Sequence, residues 1–164
     1  MKKLTKIFIL VLSIFTLNAK DGFLDINAKH FEANKQKNIL YFDGDVVMHK
    51  NQDILKCQKL VINTKQSTED STKIVPKDYT ATGDVFFHLL TNDNNITAKG
   101  DKIYYSPDKQ LYIITGNAFL EDAKTDKKIE ANKIYLDEKT GHTKMDGDTD
   151  TPVKFHLKLD DTKK

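Results

Sequence analysis

The chain has no arginine, no tryptophan and a single cysteine, and each shortage removes a class of function. Without arginine there is no planar fork to clamp a phosphate through two parallel hydrogen bonds. Anionic groups can be met only by lysine point charges or backbone N–H groups. One cysteine, Cys57, cannot close an intramolecular disulfide, so no disulfide framework holds the fold. The five histidines, at 30, 49, 88, 142 and 156, show no metal-ligand spacing, and no metal or cofactor site is expected. After residue 19 only Ser67, Ser71 and Ser106 remain as serines, none in a nucleophile-elbow context. No set of groups converges on an acid/base or nucleophile arrangement, so an enzyme is not expected.

Long apolar runs are equally scarce. The one present is Ile7–Leu17, behind the basic start Met1-Lys-Lys-Leu-Thr-Lys6 and ahead of Asn18-Ala19-Lys20. This stretch of eleven residues, apolar but for Ser13 and Thr16, falls well short of the roughly 20 that span a bilayer. The pattern is that of a secretory signal peptide, residues 1–19, cleaved after Ala19, with residues 20–164 as one domain. Leu17 departs from the usual small-x-small pattern, and an uncleaved leader would act as an anchor. Removing the three leader lysines turns the formal charge of +2 into −1. The basic character therefore belongs to the leader, and nucleic acid is not an expected partner.

What the remainder holds in quantity is a repeat. Four segments contain glycine followed by Asp or Asn: Gly44-Asp45, Gly83-Asp84, Gly116-Asn117 and Gly147-Asp148. In step with them, a small residue precedes an apolar one by three positions: Ala28 and Phe31, Cys57 and Leu60, Gly100 and Ile103, Ala131 and Ile134. The distance from small residue to glycine is 16 in three pairs and 26 in the pair 57/83, where the extra ten residues fall in and after the polar stretch Gln66–Thr72. Such self-similarity marks a supersecondary unit that buries its apolar face only against its neighbours.

Around each glycine the apolar residues alternate with period two, as strands do. One face collects Leu40, Phe42, Val46 and Met48, then Tyr79, Ala81, Val85, Phe87 and Leu89, then Tyr112, Ile114, Ala118 and Leu120. Met145 continues the series before the chain turns polar, as a terminal repeat would. At the small residues the step of three breaks phase, which predicts a bulge or corner there. Asn34–Asn38, Ser106–Lys109 and Asp137–Gly141 carry turn chemistry. The expected fold is all-β: an antiparallel stack of two facing sheets, an open jellyroll or flattened tube, built from strand-corner-turn units. Asp43, Asp45, Asp84, Asp146 and Asp148 are expected to form turns, Lys59, Lys102 and Lys133 to face outward, and Cys57 to be a small buried side chain.

The leader, the G-[DN]-[VA] turns and the [AG]-x-K-[IL] corners together resemble the OstA-like lipopolysaccharide-transport family. The likeness runs from about Leu24 to Leu157 and is sharpest from Gly100-Asp-Lys-Ile-Tyr-Tyr105 through Thr115-Gly-Asn-Ala-Phe-Leu120. It implies a periplasmic carrier that shields lipid A acyl chains in an apolar trough between an inner-membrane extraction complex and an outer-membrane translocon. It also implies partners that carry the same jellyroll and head-to-tail self-association, edge strand on edge strand. By family position Leu24 and Ile26 would line the trough where cargo enters, and Phe87, with Val85 and Leu89, would line a later strand. Phe42, Met48, Tyr112, Ile114 and Leu120 follow by alternation. Two other readings stay open: a membrane-anchored partner in the same pathway, and a structural β module with a dry core and no ligand.

Overall fold

The computed structural model describes residues 24–158 apart from 91, 93 and 94; the expected leader lies outside the described residues. Ten strands make up nearly all of it: β1 (Leu24–Asn27), β2 (His30–Asn34), β3 (Ile39–Lys50), β4 (Asp53–Gln66), β5 (Ile74–Leu90), β6 (Asn95–Ser106), β7 (Leu111–Asp122), β8 (Lys127–Asp137), β9 (His142–Asp146) and β10 (Lys154–Leu157). All pairings are antiparallel, in the order β1-β3-β4-β5-β6-β7-β8-β10. β2 pairs with the first half of β3 and β1 with its second half; β9 and β10 divide β8 in the same way. Each edge is therefore one strand broken in two.

The two facing sheets are halves of one continuous sheet, folded along a crease that every long strand crosses. The pairing register shifts at the crease each time: Asp43/Val46 against Lys59/Cys57, Thr82/Val85 against Lys102/Gly100, Thr115/Ala118 against Lys133/Ala131. The extra residue lies on the glycine strand, not on the small-residue strand where the phase break had placed the corner. Gly44 and Asp45 (φ +83 and +48) oppose the single residue Gln58, and Gly83-Asp84 and Gly116-Asn117 repeat the arrangement with φ between +46 and +84. Two successive left-handed residues suit glycine followed by Asp or Asn, which tolerate that region better than other side chains. The expectation that the five acids form turns is corrected: Asp45 and Asp84 are bulge residues inside the continuous strands β3 and β5, Asp43 and Asp146 lie within β3 and β9, and of the five only Asp148 lies in a loop. Gly147 departs from the series. It lies between β9 and β10 without a positive φ, in a loop closed by Asp148, whose Oδ1 accepts from the N–H groups of Asp150 (3.1 Å) and Thr151 (2.7 Å).

The crease row explains the small residues. Val46, Cys57, Val85, Gly100, Ala118 and Ala131 stand side by side across the sheet, all buried, where the two halves lie closest. A Cβ placed on Gly100 would stand 2.7 Å from Ile114 Cγ2. Burial pushes the Cys57 thiol up to about 11, which keeps it protonated and inert. Behind this row Leu60, Ile62, Ile96 and Ile134 are fully buried.

Polar connections fall where the turn chemistry had placed them, after Asn34, Ser106 and Asp137. The extra ten residues lengthen the β4–β5 hairpin: Gln66 pairs with Ile74, and the loop between closes on itself through Ser67 N to Lys73 O (2.9 Å) and Asp70 to Thr72.

Candidate functional site

Away from the crease the halves part and leave a cavity of about 560 Å³ of empty space, counted out to open solvent. One wall is a single cross-strand row: Met48, Leu55, Phe87, Ala98 and Leu120 lie opposite one another on β3 to β7. The other wall is two rows. Ala81, Ile103 and Ile114 lie nearer the crease; Tyr79, Tyr105, Tyr112 and Leu136 lie further out. Alternation puts these side chains inward because each strand must turn its apolar face away from water, and the register shift at the crease keeps that face inward on both sides of the fold.

The three tyrosines form a stacked ladder, with ring centroids 6.0 Å apart for Tyr79–Tyr105 and 4.3 Å for Tyr105–Tyr112, at interplanar angles of 25° and 21°. All three line the cavity. Burial pushes the Tyr79 hydroxyl up to about 12 and that of Tyr105 upward also, so both stay neutral across the ordinary pH range. A wall of hydrocarbon and aromatic rings holds a ligand by dispersion and exclusion of water, without directional bonds. Among the described residues no group of three or more His, Cys, Asp or Glu could hold a metal ion.

Of the ten residues expected to line a trough, the cavity gathers Met48, Phe87, Tyr112, Ile114 and Leu120. Val85 and Leu89 share the inner face but are fully buried beside it, and Phe42 and Ile26 are half-buried against the same core. Leu24 sits at the outer end of β1, inward-facing by register with Lys50, and is 41% exposed. Tyr105 and Leu136 were missed, although each lies two positions from an apolar motif residue, Ile103 and Ile134, on the same strand face. Leu55, Ala98, Ile103, Tyr79 and Ala81 were visible in the alternation but not singled out. Lys59, Lys102 and Lys133 are exposed, as expected.

The inner face does not end with the cavity. At the first edge Phe31 packs tilted against Phe42 (4.9 Å between ring centroids) and is 60% exposed; at the last edge Phe155 and Leu157, in register with Ile129 and Lys127 on β8, are 48% and 38% exposed. These are inner-facing residues left uncovered because the sheet stops beside them.

Comparison with known proteins agrees with this architecture. The sequence profile of the family described as LptA/(LptD N-terminal domain) LPS transport protein matches residues 25–142. Among solved structures, the chain is similar to LptH from Pseudomonas aeruginosa, described as the LptA-homologous periplasmic component of the conserved lipopolysaccharide transport device. The TM-score is 0.64 at 14% identity, over 83% of this chain and 95% of that one. A search of curated proteins gives no match.

Proposed function

Because this chain belongs to the LptA/LptD N-terminal-domain family of lipopolysaccharide-transport proteins, a family of transporters and not of enzymes, we propose that it is the periplasmic carrier that shields lipid A acyl chains in transit. The observation that carries the reading is the unbroken apolar inner face, which passes from exposed Phe31 at one edge through the cavity to exposed Phe155 and Leu157 at the other. Each acyl CH₂ left in water costs about 0.8 kcal/mol, so a C14 chain amounts to roughly 10 kcal/mol. Several chains on one lipid make free passage through water negligible. A trough with open ends and no directional bonds lets such a lipid slide while keeping its chains dry.

On this reading the leader is cleaved after Ala19 and the mature chain works in the periplasm. Its edges pair with like-folded jellyroll domains of the inner- and outer-membrane components, and with further copies head to tail. Leu60, Ile62, Val85 and Leu89, fully buried and off the cavity wall, serve as dry core. Mass spectrometry of the mature N-terminus is expected to begin at Lys20; an intact Met1 would make the protein the anchored partner instead.

The deciding experiment is site-specific photocrosslinking in cells, with the probe at Phe87 on the cavity wall and, as control, at Val61 on the outer face of β4. A lipopolysaccharide-shifted band from position 87 and none from 61 is expected. No band from 87, with the protein folded and exported, would make the inner face merely core.

A further inference from the structure

On the half of the fold that carries the tyrosine ladder, one hairpin reaches further than its neighbours. Past the row of Tyr79, Tyr105, Tyr112 and Leu136 the others stop after a single pair: Asn34 with Ile39, Ser106 with Leu111, Asp137 with His142. β4 and β5 go on. After Asn63 and Asp78 come Thr64 with Pro76, Lys65 with Val75 and Gln66 with Ile74, and only then does the loop close. Three further pairs add about 10 Å of strand beyond the rim.

The register says which way this extension faces. Ile62 and Tyr79 are paired on the inner face, so alternation along β4 turns Thr64 and Gln66 inward and Lys65 outward. Their partners share those faces: Pro76 and Ile74 lie inward and Val75 outward, with the register shift absorbed at Lys77. The hairpin is braced on both flanks. Lys65 Nζ pairs with the Asp108 carboxylate of the β6–β7 turn, and Thr64 donates to Asn38 O of the β2–β3 turn from its backbone N (2.8 Å) and its Oγ1 (3.1 Å). At its base Asn63 Nδ2 donates to Asp78 Oδ1 at 2.6 Å.

Ile74 is 69% exposed, more than any other large apolar residue among the described ones. Phe31, Phe155 and Leu157 also face inward and are uncovered, but they sit where the sheet ends, whereas Ile74 lies in the middle of the strand order. Its neighbours Gln66 and Lys73 are exposed as well, so the fold itself buries nothing against it.

We infer that this braced hairpin prolongs the apolar wall past the rim, and that Ile74, with Pro76, rests on an acyl chain of the cargo where the chain emerges on the open side of the cavity. The inference rests on the carrier reading and adds a contact outside the cavity. The occupant follows from continuity: Tyr79 on the cavity wall, Pro76 and Ile74 share one face of one strand. Hydrocarbon lying between the two halves meets water on the side away from the crease. An apolar overhang there removes part of that contact, and does so most for chains long enough to reach it.

The test is site-specific photocrosslinking in cells from position 74, with position 75, the next residue on the opposite face, as control, and position 87 in parallel. Lipopolysaccharide-shifted bands from 87 and 74, and none from 75, are expected. A band from 87 with none from 74, or equal bands from 74 and 75, would overturn the inference and leave the carrier reading standing. No band from any position, with the protein folded and exported, would overturn both. A second measurement uses the purified mature chain loaded with fluorescently labelled lipopolysaccharide. Ile74→Ser should speed release about tenfold, as for losing most of the burial of one isoleucine, and Val75→Ser should not. Because Ile74 is exposed in the protein alone, its melting temperature should stay unchanged. Release from Ile74→Ser at the wild-type rate would also overturn the inference.

Discussion

At Gly100 the inner face has no room for a side chain. A methyl there meets Ile114 Cγ2 at 2.7 Å and the carbonyl oxygens of Thr115 and Gly116 at 3.3 and 3.4 Å. Gly100→Val should therefore cost about 1–3 kcal/mol by overpacking, measured by urea denaturation. Ala131→Gly, on the same row, should cost far less. Three other residues set an alkaline limit. The Cys57 thiol and the Tyr79 and Tyr105 hydroxyls all titrate higher in the fold than in the free chain, from 9.0 to about 11 for Cys57 and from 10.0 to about 12 for Tyr79, each chiefly because burial disfavours the charged form. The folded state keeps protons that the unfolded chain releases. Their contribution is complete below about pH 9 and is lost as pH rises through the folded values toward 12. Melting temperature should fall steeply over that window, and Tyr79→Phe should flatten the fall. At this scale the sequence was informative: the slot shared by Ala28, Cys57, Gly100 and Ala131 was enough to place Cys57 as a small buried side chain. It could not show what each slot would touch, because Ile114 comes from a different repeat.

The bulges are where an element's identity depends on its neighbour. Residues 85–90 point Val85, Phe87 and Leu89 inward only because Gly83-Asp84 supplies one residue more than β6 does opposite. Deleting Asp84 would slip that half of β5 by one position and turn its apolar set to solvent. The variant should fail to fold, seen as loss of the cooperative thermal transition. Removing four residues from the 67–72 loop should be nearly neutral, since its hydrogen bonds close within the loop and the cost of loop length is weak. This contrast explains which parts were legible. Alternation and turn composition are local, so strands and reversals could be read. The side on which a bulge falls is a relation between two strands, and the odd step at Cys57–Leu60 looked like an inserted residue when it was its partner that carried the extra one. Gly147 misled for a related reason: its motif matches the others, but it lies between the two halves of the edge strand, and among the described residues no further strand pairs beyond that edge to make it one side of a bulge.

At the scale of the whole sheet, among the described residues each strand bonds only to its neighbour in the chain, or at the two broken edges to the next but one. Most two-sheet proteins must bring distant segments together before any sheet is complete, and they fold slowly for that reason. Here every added hairpin extends a ladder already present. Refolding in stopped-flow should fall on the order of milliseconds, at the fast end for all-β chains; a rate near one per second would contradict growth strand by strand. The one-dimensional order also accounts for how much of the architecture could be read beforehand. A repeat whose units touch only their neighbours writes its topology into its spacing, whereas the cavity depends on how far the two halves part, which no spacing encodes.

The single sheet has a mechanical consequence. Among the described residues all strand pairing runs along the sheet, and none joins β1 to β10 or crosses from one half to the other. The two halves thus resemble book covers on a common spine of bulges. Widening the gap between them breaks no hydrogen bond in either cover, and only apolar contacts must separate. Such a body is stiff along its length and soft in one direction across it. On the carrier reading its bore would be set by whatever lies inside, so one chain could grip guests of unequal girth without being rebuilt for each.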